Sequence, residues 1–158
     1  MNEIGLKISP PLYLVGMKMD CWKCGSRMSV VALVAPSVEE VYEEEYEDDE
    51  EAMLILTDIK RLPENILEYL RKRAPTFRLK YSKTVGEKYF ANTCPGCGML
   101  SGDFCLHSEP GAPFFPTDEE EAKSLYLTEM PIDSPVYIDS SFHVGAGELI
   151  VGHAQRIA

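Results

Sequence analysis

A mainly antiparallel β, α+β domain is the fold class this sequence predicts, and three observations carry the prediction. Short apolar runs rich in β-branched residues recur between glycine- and proline-containing turns. Two C-x-x-C-G units, Cys21-Trp22-Lys23-Cys24-Gly25 and Cys94-Pro95-Gly96-Cys97-Gly98, each sit between two such runs, where a hairpin tip belongs. One segment, residues 62–74, has a full helical pattern with signals at both ends. At 158 residues and 45% hydrophobic content the chain can build one core. It reads as a single domain over 1–158 with an acidic insertion at about 37–52.

The elements follow in order. Residues 12–15 and 16–20 lead into the first C-x-x-C-G unit. Residues 28–34, an unbroken apolar run apart from Ser29, leave it as a buried strand that Pro36 closes. Residues 39–51 hold ten acidic side chains and no basic one, so like-charge repulsion predicts a loop or a fraying helix there. The run 53–56 follows as a strand. In 62–74, Pro63 and Glu64 suit the first turn, Arg71, Lys72 and Arg73 suit the last, Ile66, Leu67 and Leu70 share a face, and Pro75 stops the helix. Residues 76–82 and 88–92 alternate as strands into the second C-x-x-C-G unit, and 99–107 leaves it as a further strand. A shorter helix is expected over 118–126, with Thr117 and Glu120 spaced as a capping box. Residues 136–142 and 148–151 read as a closing hairpin.

The cysteines carry the clearest chemistry. Two residues between cysteines let one tight turn aim both sulfurs at a single point, and the following glycine can take positive φ to leave the turn. With 69 residues between the pairs, two such turns facing each other supply Cys21, Cys24, Cys94 and Cys97 as a tetrahedral thiolate set. That set suits one structural Zn²⁺ per chain, with iron the remaining metal. Neither pair follows a strand and opens a helix, which argues against a thioredoxin-like redox pair.

The paired C-x-x-C-G and C-P-x-C-G units resemble the two knuckles of zinc ribbons and rubredoxins. The resemblance rests on about ten residues. It implies the local ribbon fold and the four cysteine ligands, and no activity.

Other candidates are weaker. In a strand, Asp103, Cys105 and His107 would share one side, the basis of an enzyme alternative, although packing explains Cys105 more simply. His107-Ser108-Glu109 follows the second cysteine pair, the reverse of the zinc deaminase order. His143 and His153 read as surface residues, and Gly145 and Gly147 as turn glycines.

Charge suggests partners. The net charge of −11 is local: outside 39–51 there remain 16 acidic against 15 basic residues. The acidic segment, with Tyr42, Glu43, Glu44, Glu45, Tyr46, Glu47, Asp48 and Asp49, is expected to dock a basic protein, as an immunity- or inhibitor-type protein would. The alternative is nucleic-acid binding through a basic strip at 71–88 that includes Arg71, Lys72, Arg73, Arg78 and Lys80. No secretory signal or membrane-length apolar run is evident, and reduced cysteines fit a cytoplasmic setting. The expectation is a non-enzymatic, zinc-binding interaction module.

Overall fold

The computed structural model describes residues 6–35, 38–40, 53–83, 86–101, 106–107, 111–143 and 146–157. The predicted class is borne out: the protein is α+β and mainly antiparallel. Its strands are β1 (Leu6–Ile8), β2 (Tyr13–Asp20), β3 (Arg27–Ala35), β4 (Val38–Glu40), β5 (Leu54–Arg61), β6 (Phe77–Ser82), β7 (Glu87–Thr93), β8 (Leu100–Ser101), β9 (Tyr126–Glu129), β10 (Val136–His143) and β11 (Gln155–Arg156). Helix α1 (Glu64–Arg73) lies between β5 and β6, α2 (Glu119–Ala122) precedes β9, and α3 (Gly147–His153) precedes β11. Among the described residues eight strands form one sheet in the order β11-β9-β2-β3-β5-β10-β1-β4, and three form another, β6-β7-β8. Only the β11–β9 pairing is parallel among the described pairs.

The unbroken apolar run of β3 is explained by burial on both faces. Val31, Leu33 and Ala35 enter one core with Leu14, Leu56, Ile138 and the α1 residues Ile66 and Leu70. Val30, Ala32 and Val34 enter the other with Val15, Ile55, Leu127, Phe114 and the α3 residue Ile150. Successive side chains of a strand point to opposite faces, so one sequence feeds both cores in alternation. Each fully buried Leu, Val or Ile contributes roughly 1.5–3 kcal/mol by leaving water.

The β2–β3 hairpin keeps its register from Tyr13↔Val34 to Asp20↔Arg27, directly below the first C-x-x-C-G turn. Helix α1 starts after Pro63 in extended conformation, with Glu64 in its first turn and Arg71, Lys72 and Arg73 in its last. Strand β5 carries an irregularity where it meets β10, and Asp58 there takes φ 53°. An aspartate tolerates that left-handed conformation better than the flanking Thr57 or Ile59 would.

Several elements differ from the sequence expectation. Glu39 and Glu40 belong to strand β4, paired in register with Lys7 and Leu6 of β1. The rest of the acidic segment lies outside the described residues. The helix expected over 118–126 ends at Ala122, because Tyr126–Glu129 pairs with β2 instead. Its cap is shifted by one residue: Asp118 Oδ1 accepts from the Glu121 N–H at 2.9 Å, and the Glu121 carboxylate accepts from the Thr117 N–H at 2.8 Å. Residues 148–151 are not the second strand of a hairpin but part of α3. A short apolar run has no decisive period, and burying Ile150 in the second core decided the outcome. Beyond β8, Leu106 and His107 have helical backbone, not the extended one expected over 99–107.

Candidate metal centre

Each C-x-x-C-G unit folds as the same knuckle. In the first, the Cys21 N–H donates to Ser26 O at 2.8 Å and the Gly25 N–H to Cys21 O at 3.0 Å. In the second, the Cys94 N–H donates to Met99 O and the Gly98 N–H to Cys94 O, both at 2.9 Å. Gly25 and Gly98 leave these turns at φ 77° and 78°, where a side chain would be strained. Backbone amides also point at sulfur: Lys23 N–H to Cys21 Sγ at 3.3 Å and Gly96 N–H to Cys94 Sγ at 3.2 Å.

The two knuckles meet face to face. The Sγ atoms of Cys21, Cys24, Cys94 and Cys97 all lie within 4.8 Å of one another. Cys21 Sγ is 3.7 Å from Cys97 Sγ, and Cys24 Sγ is 3.6 Å from Cys94 Sγ. A tetrahedron with metal–sulfur bonds of about 2.3 Å has edges of about 3.8 Å, so the four sulfurs could hold a metal ion with little adjustment. Cys21 and Cys94 are buried, while Cys24 and Cys97 face outward.

Electrostatics favour a cation between them. The backbone amides of Cys24 and Lys23 lower the Cys21 thiol. Hydrogen bonding from the Ser26 side chain and backbone brings Cys24 down to about 6. The Met99 amide acts to lower Cys97, but burial and the three facing sulfurs outweigh it and push that thiol up to about 11. Four thiolates repel when crowded, and a divalent ion converts the repulsion into bonding.

Three contacts bring the second knuckle onto the first, and none was legible in the sequence. Gly96 lies where a Cβ would come within 2.9 Å of Ser26 Oγ, so the close approach needs glycine. Trp22, 62% exposed, donates its indole N–H to Leu100 O at 3.2 Å. Most important is Asn92, buried in β7. Its Oδ1 accepts from the Val31 N–H at 2.8 Å and its Nδ2 donates to Val31 O at 3.1 Å. The Asn92 amide thus acts as a one-residue strand on β3, just beyond the Leu33–Ala35 stretch paired with β5. Lys60 adds a salt bridge from β5 to Glu87 of β7 at 2.6 Å, and that hydrogen bond raises its pKa.

The remaining predicted residues divide plainly. Tyr42, Glu43, Glu44, Glu45, Tyr46, Glu47, Asp48 and Asp49 lie outside the described residues, as do Asp103 and Cys105. Arg71, Lys72, Arg73 and Arg78 are exposed and Lys80 partly so; Arg71 pairs with Glu64 at 3.3 Å. His107 is buried and packs on Phe114, centroids 5.2 Å apart. His143 is partly buried against it, not on the surface, with Nε2 3.5 Å from His107 Nδ1. Desolvation and the neighbouring His143 hold His107 down to about 3, and desolvation lowers His143.

The fold and site together define an α+β protein with a ribbon-like four-cysteine centre joining two sheets. Comparisons with protein-family models, with curated proteins and with solved structures return no match to this chain. Among the described residues no helix is long and apolar enough to cross a membrane.

Proposed function

We propose that the chain is a non-enzymatic binding protein whose four cysteines hold one structural zinc ion. The observation that carries this reading is the closed set of four sulfurs within 4.8 Å. Four protein ligands leave no open position for water or substrate, which is the mark of a structural centre. Elemental analysis of the purified protein should give about one zinc per chain. Stoichiometric iron with a thiolate-to-iron absorption band would replace zinc and reopen electron transfer.

The partner in this reading is a basic protein, received by the acidic segment with Tyr42 and Tyr46 as apolar anchors. Ten acidic side chains within 39–51 support it. The segment follows β4, an outer strand of the main sheet, which suits a docking surface. Removing residues 41–51 while sparing β4 should abolish capture of a basic partner at low salt. Unchanged capture would end this reading.

The basic strip supports a second reading, association with nucleic acid, because Arg71, Lys72, Arg73 and Arg78 are exposed to solvent. Its signature is binding that weakens steeply with salt.

A further inference from the structure

Strand β6 is an outer strand of the three-stranded sheet, with β7 along one side, and no described helix or strand runs along the other. The alternation of the ladder fixes which backbone groups that edge shows. The Thr93 N–H donates to Thr76 O at 2.9 Å. In the register from Phe77↔Asn92 to Ser82↔Glu87, the even-numbered residues of β6 therefore bond to β7, while Phe77, Leu79 and Tyr81 turn their N–H and C=O groups outward. The Phe77 N–H bonds to Ala74 O at 3.0 Å, and the backbone groups of Leu79 and Tyr81 meet no other backbone group among the described residues.

The side chains along this edge sort by face. Leu79 and Tyr81 share one face and are 45% and 56% exposed, with the partly buried Phe90 opposite Leu79. Arg78 and Lys80 project from the other face. Lys83 lies in the turn after β6, and Lys88 is opposite Tyr81. Among the described residues none of these four cations enters an ion pair. The one carboxylate on β6 and β7, Glu87, is already bonded to Lys60 at 2.6 Å.

We propose that the outer edge of β6 receives an extended acidic segment of a partner protein as an added strand, with apolar and acidic side chains in alternation. Strand addition brings N–H and C=O groups to those of Leu79 and Tyr81, and the alternating side chains give it specificity. Residues opposite each other in a ladder share a face. The partner's apolar side chains therefore cover Leu79 and Tyr81, while its carboxylates meet Arg78 and Lys80. A second copy of this edge is disfavoured, because its own Arg78 and Lys80 would lie among like charges. A phosphodiester chain balances the cations but brings no ladder of N–H donors for the outward carbonyls. The inference rests on neither reading above: its partner is opposite in charge to the one proposed for the acidic segment, and it draws on backbone groups that a nucleic acid does not need.

The test uses the full-length protein with its metal bound and, as probe, an end-blocked fluorescent peptide of about eight residues alternating valine and glutamate. Its controls are the same peptide with prolines at the two central positions and a valine–lysine counterpart. The wild type should bind the valine–glutamate peptide, bind the proline version about tenfold or more weakly, and leave the lysine peptide unbound. On binding, amide exchange at Leu79 and Tyr81 should slow. The variant R78E/K80E, at one exposed and one partly exposed position, should reverse the preference and take the lysine peptide, a gain that an unfolded protein cannot give. No binding of the valine–glutamate peptide to the wild type overturns the inference, as does an unchanged preference in R78E/K80E. Equal binding of the proline version, or unaltered exchange at Leu79 and Tyr81, also overturns it, since charge alone then accounts for the contact. Binding of a single-stranded RNA of about ten nucleotides, lost in R78E/K80E while no peptide binds the wild type, overturns it in favour of the nucleic-acid reading.

Discussion

The two sheets of this protein are stabilised in different ways. The eight-stranded sheet is packed on both faces, by Ile66 and Leu70 of α1 on one side and by Phe114 and Ile150 on the other. The three-stranded sheet contributes Phe77 and Phe90 to the first core, their rings 6.0 Å apart, yet leaves Leu79 and Tyr81 exposed. Polar links also join it to the larger sheet: the Asn92 amide, the Lys60–Glu87 pair and the cysteine centre. A large sheet can rely on non-directional burial, whereas a small one attached at its end needs directional bonds to fix where it sits. The four-cysteine centre therefore sits at the junction, with Cys21 and Cys94 also buried in the second core.

Breaking the junction is the strongest test of that contrast. Cys94→Ser should reduce bound metal from about one per chain to none. It should also accelerate amide exchange in β6, β7 and β8 while β2 and β3 stay protected; uniform loss of protection across both sheets would make the metal a requirement of the whole fold. Leu33→Ala in the large sheet should cost about 2–5 kcal/mol in urea unfolding and lower protection throughout, with metal still bound. Asn92→Ala leaves the buried Val31 N–H and C=O without their partner and should cost about 2–4 kcal/mol. That loss should appear first as weaker metal retention against a chelator; unaltered retention would remove Asn92 from the junction.

Acid should act on the large sheet through His107. In the unfolded chain this imidazole takes up its proton as pH falls through about 6.5, but in the folded protein only near 3. Its contribution is fully present above pH 6.5 and is lost as pH falls from there toward 3, at no more than about 1.4 kcal/mol per unit. His107→Gln should flatten that part of the stability profile relative to wild type, both measured with metal bound. A parallel pair of profiles would show that His107 takes up its proton equally in the folded and unfolded chains. The smallest effect belongs to the α2 cap: Asp118→Ala should cost about 1 kcal/mol without touching metal content.

Local signals wrote the parts of this molecule that depend on neighbours in sequence. The knuckles could be read because a C-x-x-C turn and its glycine are complete within five residues. Helix α1 could be read because Pro63, Glu64, the three basic residues and Pro75 mark both its ends. The β3 run announced a buried strand because its apolar residues are uninterrupted from Val30 to Ala35. Where two conformations were nearly equal in local preference, packing chose. Residues 148–151 became helical to seat Ile150, and 126–129 became a strand because β2 offered an unpaired edge.

By itself, then, the sequence determined the class of fold, the long helix and the four candidate ligands, since each rests on spacing and periodicity along one short stretch. Only the tertiary structure decided that Asn92 would complete the hydrogen bonding of β3 and that His107 would pack against His143. Those partners are 61 and 36 positions apart in the chain. No local pattern encodes such meetings; they follow from which apolar faces must be buried together.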